Sequence, residues 1–245
     1  MTIVSAAELP DFRPAPNQGG NIELYEVENR ALDPDGHVLA AMRALAPWAG
    51  RTLLDLGCGS GYWLGRYAGE AAVVIGVEPD PRLLPLAADR DPRIRVLRGS
   101  AEHIPLEDQS VDVVHARFAY IFPPGCDAGL AEVMRVLRPG GTLVVIGNDL
   151  QAGEFAELLR AAQGALVPTG GEETDAWWAA RGARRTTVRS MWRFTSRVDF
   201  EAVLRMEFPR KVADPWLAAH PGALGLSYSY ALFTVDKPDG LLHAR

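Results

Sequence analysis

Apolar residues fall in short blocks, and the spacing inside the blocks changes along the chain. Continuous apolar runs predict strands at Arg51–Leu56, Val73–Val77, Ile94–Leu97, Val111–Ala116 and Thr142–Ile146. Such runs suit strands buried on both faces of a sheet. Between them, apolar positions three and four apart predict helices at Gly61–Ala68, Pro81–Ala88 and Ala128–Leu137. Strand and helix in alternation imply parallel pairing through right-handed crossovers, a doubly wound α/β sheet. Upstream, Ile22–Arg30 predicts a short helix. Asp33-Pro34-Asp35-Gly36 opens a second at His37–Ala46, which Pro47-Trp48-Ala49-Gly50 stops. After Gly147 the rhythm changes. Helices are predicted at Glu154–Gln163 and Val198–Met206, and strands at Thr186–Phe194 and Ser227–Val235. Residues 1–20 are rich in Pro, Gly and Asn. With the first helix they form an expected N-terminal arm or lid, 1–30. The remainder, 31–245, is the main domain, with an auxiliary segment at about 165–225.

The chemistry starts where the strand Arg51–Leu56 ends. It runs into Asp55, then Gly57, Gly59 and Gly61, then Tyr62-Trp63-Leu64, which opens a helix. Glycines let a backbone turn sharply and approach a ligand with no Cβ in the way. The helix N-terminus adds free N–H groups and positive potential. A dinucleotide fingerprint spaces its glycines G-x-G-x-x-G, and here its third glycine is Tyr62. The acid followed by alternating glycines resembles instead motif I of the class I S-adenosylmethionine (SAM)-dependent methyltransferases.

More of the chain follows that resemblance. Glu78 ends the second strand, about 20 residues beyond the glycines, where an acid accepts hydrogen bonds from ribose hydroxyls. Arg98-Gly99-Ser100-Ala101-Glu102 is similar to the family's segment over the adenine, with Ser100 standing where Asp is common. A serine hydroxyl donates or accepts but supplies no charged acceptor. Pro105–Val114 is similar to the family's acidic turn and fourth strand. Arg117 and Phe118 follow that strand. Arg138-Pro139-Gly140-Gly141-Thr142-Leu143 is similar to the turn before the fifth strand. The resemblance spans roughly residues 37–147. It implies a seven-stranded, mostly parallel Rossmann-like sheet whose last strands form an antiparallel pair. It implies SAM as cofactor and S-adenosylhomocysteine as product. It implies cofactor contacts from Asp55, Gly57, Gly59, Gly61, Glu78, Ser100, Ala101, Glu102 and Arg117. Each acid also has a plainer reading, as a loop brace or helix cap.

The flanking segments hold the candidates for the other reactant. A general base is required only if the methyl acceptor enters protonated. His115 ends the fourth strand, where a histidine is also at home in a core. Asp149 follows the fifth strand and Tyr25 lies on the N-terminal segment. Tyr25, Glu28, Tyr120, Asn148, Trp177 and Trp178 are candidate acceptor contacts. Aromatics gather late in the chain, at Trp177, Trp178, Trp192, Phe194, Phe200, Phe208 and Trp216. They pack an auxiliary layer, with a few left to wall an apolar pocket.

Composition narrows the options. The 245 residues are 48% hydrophobic and carry a net charge of −6, which disfavours nucleic acid as partner. The arginines at 181, 184, 185, 189, 193 and 197 dissent, unless they are one solvated face of a strand and its preceding loop. Cys58 and Cys126 are the only cysteines, so neither a disulfide framework nor a metal cluster is expected. No apolar run approaches the ~18 residues of a membrane span, and no secretory signal is visible. The expectation is a cytoplasmic enzyme that methylates O, N or C of a small molecule. An RNA or protein methyltransferase is the first alternative. A SAM-binding protein without methyl transfer, such as a cyclase or regulatory subunit, is the second.

Overall fold

The computed structural model describes residues 9–15, 20–163 and 171–239. Seven strands form one sheet: β1 (Thr52–Leu56), β2 (Val73–Glu78), β3 (Arg95–Arg98), β4 (Val111–Arg117), β5 (Leu137–Asn148), β6 (Arg184–Arg193) and β7 (Gly225–Asp236). Their order is β3-β2-β1-β4-β5-β7-β6. The first five pair in parallel, and β7 lies antiparallel between β5 and β6. This is the seven-stranded, mostly parallel architecture that the sequence pattern implies. The carboxyl ends of β1 to β4 share one edge, where open α/β sheets bind ligands.

Alternation along the strands sorts side chains between two apolar layers. Leu53, Val113 and Val144 face one side, and Leu54, Val114 and Val145 the other. The first side is covered by α1 (Ile22–Ala31), α2 (His37–Leu45), α3 (Leu64–Tyr67), α4 (Leu84–Ala88), α6 (Glu154–Gln163), α8 (Arg197–Glu207) and α9 (Arg210–Ala219). The second is covered by α5 (Asp127–Val136) and α7 (Glu172–Ala179). Polar caps set where helices begin. Asn21 accepts from the Leu24 N–H at 3.0 Å, and Asp33 accepts from Val38 N–H at 2.9 Å. Asp33 also accepts from the Ser190 hydroxyl at 2.8 Å, and Leu32 bridges to Trp192. The N-terminal helices are thereby tied to edge strand β6.

The late aromatics form the expected layer. Trp192 is fully buried, with Phe155 at 5.1 Å and Tyr228 at 5.6 Å between ring centroids. Phe194, Phe200 and Trp216 continue it.

Three features depart from the sequence pattern. The Arg138–Gly141 turn is an irregular start to β5, with Gly140 at φ 73 and a register shift opposite Val111 and Val113. The predicted helix Gly61–Ala68 contracts to the single turn of α3, because the glycine loop uses its first residues. Helices α7 and α9 were not signalled. In α7 only Trp178 is buried, and α9 contains Pro215, which normally argues against a helix interior. Residues 1–8 and 16–19 of the expected arm lie outside the described residues.

Removing the Trp192 ring should leave a cavity in this layer. Trp192→Ala is expected to lower unfolding free energy by about 3–5 kcal/mol, read from urea unfolding followed by circular dichroism. A loss below 1 kcal/mol would mean that the aromatic layer is not a structural core.

Candidate functional site

A cavity of about 500 Å³ opens at the carboxyl ends of β1 to β4. Its floor is Leu56, Gly57, Val77, Glu78 and Pro79, and its far wall is Gly99, Ser100 and Ala101. Phe118, Ala119, Tyr120 and Phe122 close one side, and the arm residues Asp11 to Ala15 close the other. Phe118 and Tyr120 hold φ values of 50 and 46. Bulky residues rarely adopt that conformation, and it concentrates at functional sites.

The glycine turn is held by Glu78. One carboxylate oxygen accepts the Gly59 N–H at 2.8 Å and the other the Asp80 N–H at 2.9 Å. Gly57, Gly59 and Gly61 all have positive φ. A Cβ at Gly57 would strike the Ala119 methyl, and one at Gly61 would lie 2.7 Å from the Ala87 Cα. These two glycines therefore serve the packing of the turn against its neighbours. Burial pushes the Glu78 carboxyl up to about 7, against the two N–H bonds that stabilise its charge.

Asp55 lies buried beneath the turn, and both its carboxylate oxygens lack partners. Burial raises it to about 6, with the nearby Arg117 charge opposing the shift. The Arg117 guanidinium sits 4.1 Å over the Trp63 ring, and its Nε is unpartnered. A carboxylate and a guanidinium with unused hydrogen-bonding capacity thus lie at the carboxyl ends of β1 and β4, though neither lines the cavity. The Ser100 hydroxyl, at the β3 end, is buried and unpartnered too. Glu102 accepts the Tyr120 phenol and so braces the wall.

Helix α1 covers the turn. Its Glu26 accepts from the Ser60 hydroxyl and pairs with Arg90 at 2.6 Å. Glu28 and Asn29 lie on its buried face. Burial, then the Glu207 charge, raises the Glu28 carboxyl well above its ordinary range. Burial pushes the Tyr25 phenol up to about 12, so it remains protonated at neutral pH. Asn148, at the end of β5, accepts from the Tyr228 phenol. Tyr230 stacks on Tyr228 at 4.4 Å and lies 6.1 Å from Phe118.

The remaining candidates sit elsewhere. His115 is fully buried between Trp48 and Tyr67, 5.4 and 5.2 Å between centroids. Burial and Arg117 lower it to about 3, so it is neutral. Asp149 is locked by Arg185 at 2.8 Å and the Ser229 hydroxyl at 2.8 Å. Trp178 stacks on Phe233, and Trp177 lies against Trp178 and Arg181. Neither lines the cavity. Among the described residues five of the six arginines are ion-paired, Arg189 being the exception: Arg181 with Asp127, Arg184 with Asp236, Arg185 with Asp149 and Asp175, Arg193 with Asp35, and Arg197 with Glu201. Among the described residues no helix is long and apolar enough to cross a membrane. The contributions of Asp11–Ala15 and Phe122 carried no sequence signal beyond the composition of the arm.

Comparison with known proteins agrees with this geometry. Residues 54–145 match the methyltransferase domain family. An uncharacterized methyltransferase of Mycobacterium tuberculosis is 36% identical over 142 residues, 57% of this chain and 56% of that protein. A malonyl-[acyl-carrier protein] O-methyltransferase of Serratia marcescens is 34% identical over 129 residues, 52% and 49% of the two. The chain thus spans about half the length of the curated relatives it matches. A putative methyltransferase from an antibiotic biosynthesis pathway of Anabaena variabilis shares the fold. Its TM-score is 0.60 at 18% identity, over 85% of this chain and all of that one. Residues 54–145 are thus similar to methyltransferase domains, and the sheet carries the fold of the methyltransferase structure it resembles.

The raised carboxyls predict a pH effect on the unliganded protein. Glu78 stands at about 7 when folded against an ordinary 4.5. The folded state therefore holds more protons in that window, and this contribution to stability is lost as pH rises through 7. Melting temperature against pH between 4.5 and 7.5 should fall less steeply in Glu78→Gln than in wild type. Parallel curves would show that Glu78 is ionised in the fold throughout.

Proposed function

We propose that this chain binds SAM in the 500 Å³ cavity and transfers its methyl group to a small molecule. The observation that carries this reading is the sequence of polar groups along one edge of the sheet. Asp55 and Arg117 come first, the Glu78 carboxylate in the middle and the Ser100 hydroxyl at the far end. They suit, in that order, the charged amino-acid end, the ribose hydroxyls and the base of one extended nucleoside. Asp55 would hold the ammonium and Arg117 the carboxylate, while the free lone pairs of Glu78 accept from the ribose. When bound, SAM supplies an electrophilic methyl on a sulfonium, and the protein's part is alignment and exclusion of water.

The acceptor would enter between α1 and the aromatic group Phe118, Tyr228 and Tyr230, with Tyr25, Glu28, Tyr120 and Asn148 as its polar surroundings. His115 is neutral in the core, Asp149 is ion-paired and Tyr25 keeps its proton, which favours an acceptor that needs no base. A carboxylate or another atom with a lone pair already exposed fits, in line with the O-methyltransferase name of the Serratia relative. Small-molecule sites run about 300–1,000 Å³ with few polar anchors, whereas RNA needs many free cations. The paired arginines supply few. The described part of the N-terminal segment, 9–15 and 20–30, would act as the lid, and two buried free cysteines accord with a cytoplasmic enzyme.

Calorimetry with S-adenosylhomocysteine tests the cofactor half. Glu78→Ala should cost on the order of 2–4 kcal/mol in affinity, since hydrogen bonds to charged groups run about 1.5–3 each. Wild-type affinity should rise from pH 6 to pH 8 as the Glu78 and Asp55 carboxyls ionise. Unchanged binding in the variant refutes the assignment. Labelled SAM should mark a small-metabolite pool and leave tRNA unlabelled. Salt-sensitive tRNA binding with label in RNA would favour the alternative.

Hydrogen exchange tests the lid. Exchange in α1 should slow when S-adenosylhomocysteine binds, because Glu26 ties this helix to the glycine turn. Equal rates with and without it would leave the helix as fixed scaffold.

A further inference from the structure

The far end of the cavity contains a carboxylate that the glycine turn and β2 do not supply. Asp11, on the arm, lines the cavity beside Ser100 and Ala101. Its side chain is only 5% exposed. One oxygen, Oδ2, accepts from the Glu102 N–H at 3.4 Å. The other, Oδ1, is buried without a hydrogen-bond partner and lies 3.9 Å from the exposed imidazole of His103. Ser100 lines the same cavity, and its hydroxyl is also buried and unpartnered. Phe12 follows Asp11 along the same wall.

Buried polar atoms normally have partners, and a carboxylate oxygen left without one carries a desolvation cost. Two such atoms on residues from different segments that line one cavity point to a ligand edge that satisfies both. Asp11 is an acceptor, so it wants a donor. Ser100 gives or takes a hydrogen bond. The six-membered edge of adenine offers an exocyclic amine, which donates, beside a ring nitrogen, which accepts. A neutral 6-oxo purine offers a carbonyl where the amine was, and a carbonyl facing a carboxylate is repelled.

We infer that Asp11 reads the base of the cofactor, its Oδ1 taking the exocyclic amine of adenine while Oδ2 anchors the arm to the Glu102 N–H. The arm thereby supplies the charged acceptor that Ser100 does not, and Phe12 gives the base an apolar face. Asp11 is a specificity-determining residue for the site described above, and its role rests on the SAM reading of that site.

The test compares two nucleosides by calorimetry, S-adenosylhomocysteine and its 6-oxo analogue S-inosylhomocysteine, on wild type and Asp11→Asn. Asparagine keeps one oxygen for the Glu102 N–H and turns a donor toward the base. Wild type should prefer the adenosine compound. Asp11→Asn should bind it on the order of ten- to a hundredfold more weakly, the worth of one hydrogen bond to a charged group. It should bind the inosine compound as well as wild type or better, so the preference collapses. Matching far-ultraviolet circular dichroism and melting temperature establish that the variant is folded. An equal loss for both nucleosides would reduce Asp11 to an anchor for the arm and overturn the inference, as would unchanged binding of both. If wild type binds neither nucleoside, it is the SAM reading itself that fails.

Discussion

One carboxylate fixes the geometry on which the rest of the site depends. Glu78 leaves the end of β2 and grips two backbone N–H groups, Gly59 in the turn after β1 and Asp80 in its own loop. Adjacent parallel strands end in separate loops. The Gly57 and Cys58 N–H groups donate to the Val77 carbonyl and tie the turn to β2, and the Glu78 bridge extends that tie to Gly59. Glu78 is buried at 5% exposure, so its charge is costly to hold there. On the SAM reading proposed above, the same residue would be both structural brace and ligand contact.

The second constraint is that the site has a roof made from the start of the chain. Helix α1 is pinned by Glu26 to Ser60 and Arg90 on one side. The arm before it is pinned by Asp11 to Glu102 on the other. Both clasps are polar and small in area. Segments held this way open at lower free energy than strands within the core. On the lid reading proposed above, this cover would open for a ligand without disturbance of the sheet.

Much of this was legible in the sequence, for a physical reason. Parallel strands buried on both faces must be apolar throughout, so β1, β2, β4 and β5 announce themselves, and the glycine turn is visible because few other residues tolerate its φ values. Strand β7 showed through alternation at Tyr228, Tyr230, Leu232 and Thr234, and β6 was read as the strand before it. Helices α7 and α9 did not. The first buries little more than Trp178, and the second carries Pro215. His115 looked like chemistry because it ends a strand at the ligand edge. Its side chain turns instead into the aromatic pair Trp48 and Tyr67, a direction set by strand parity and the packing behind it. Asp11 was invisible because its role depends on where a pattern-free arm comes to rest.

The tie between the N-terminal helices and edge strand β6 has a consequence for how this fold can change. Leu32 bridges to Trp192, Asp33 accepts from Ser190 and Asp35 pairs with Arg193. The N-terminal cover is thus seated on edge strand β6, while the cavity-lining turns after β1 to β4 lie between them, within the matched stretch 54–145. A swap of one flanking segment alone would leave the new piece without its seat. The two flanking segments would have to change together, as a matched pair. Chimaeras that exchange only a leader or only a tail with a relative would be the ones that misfold.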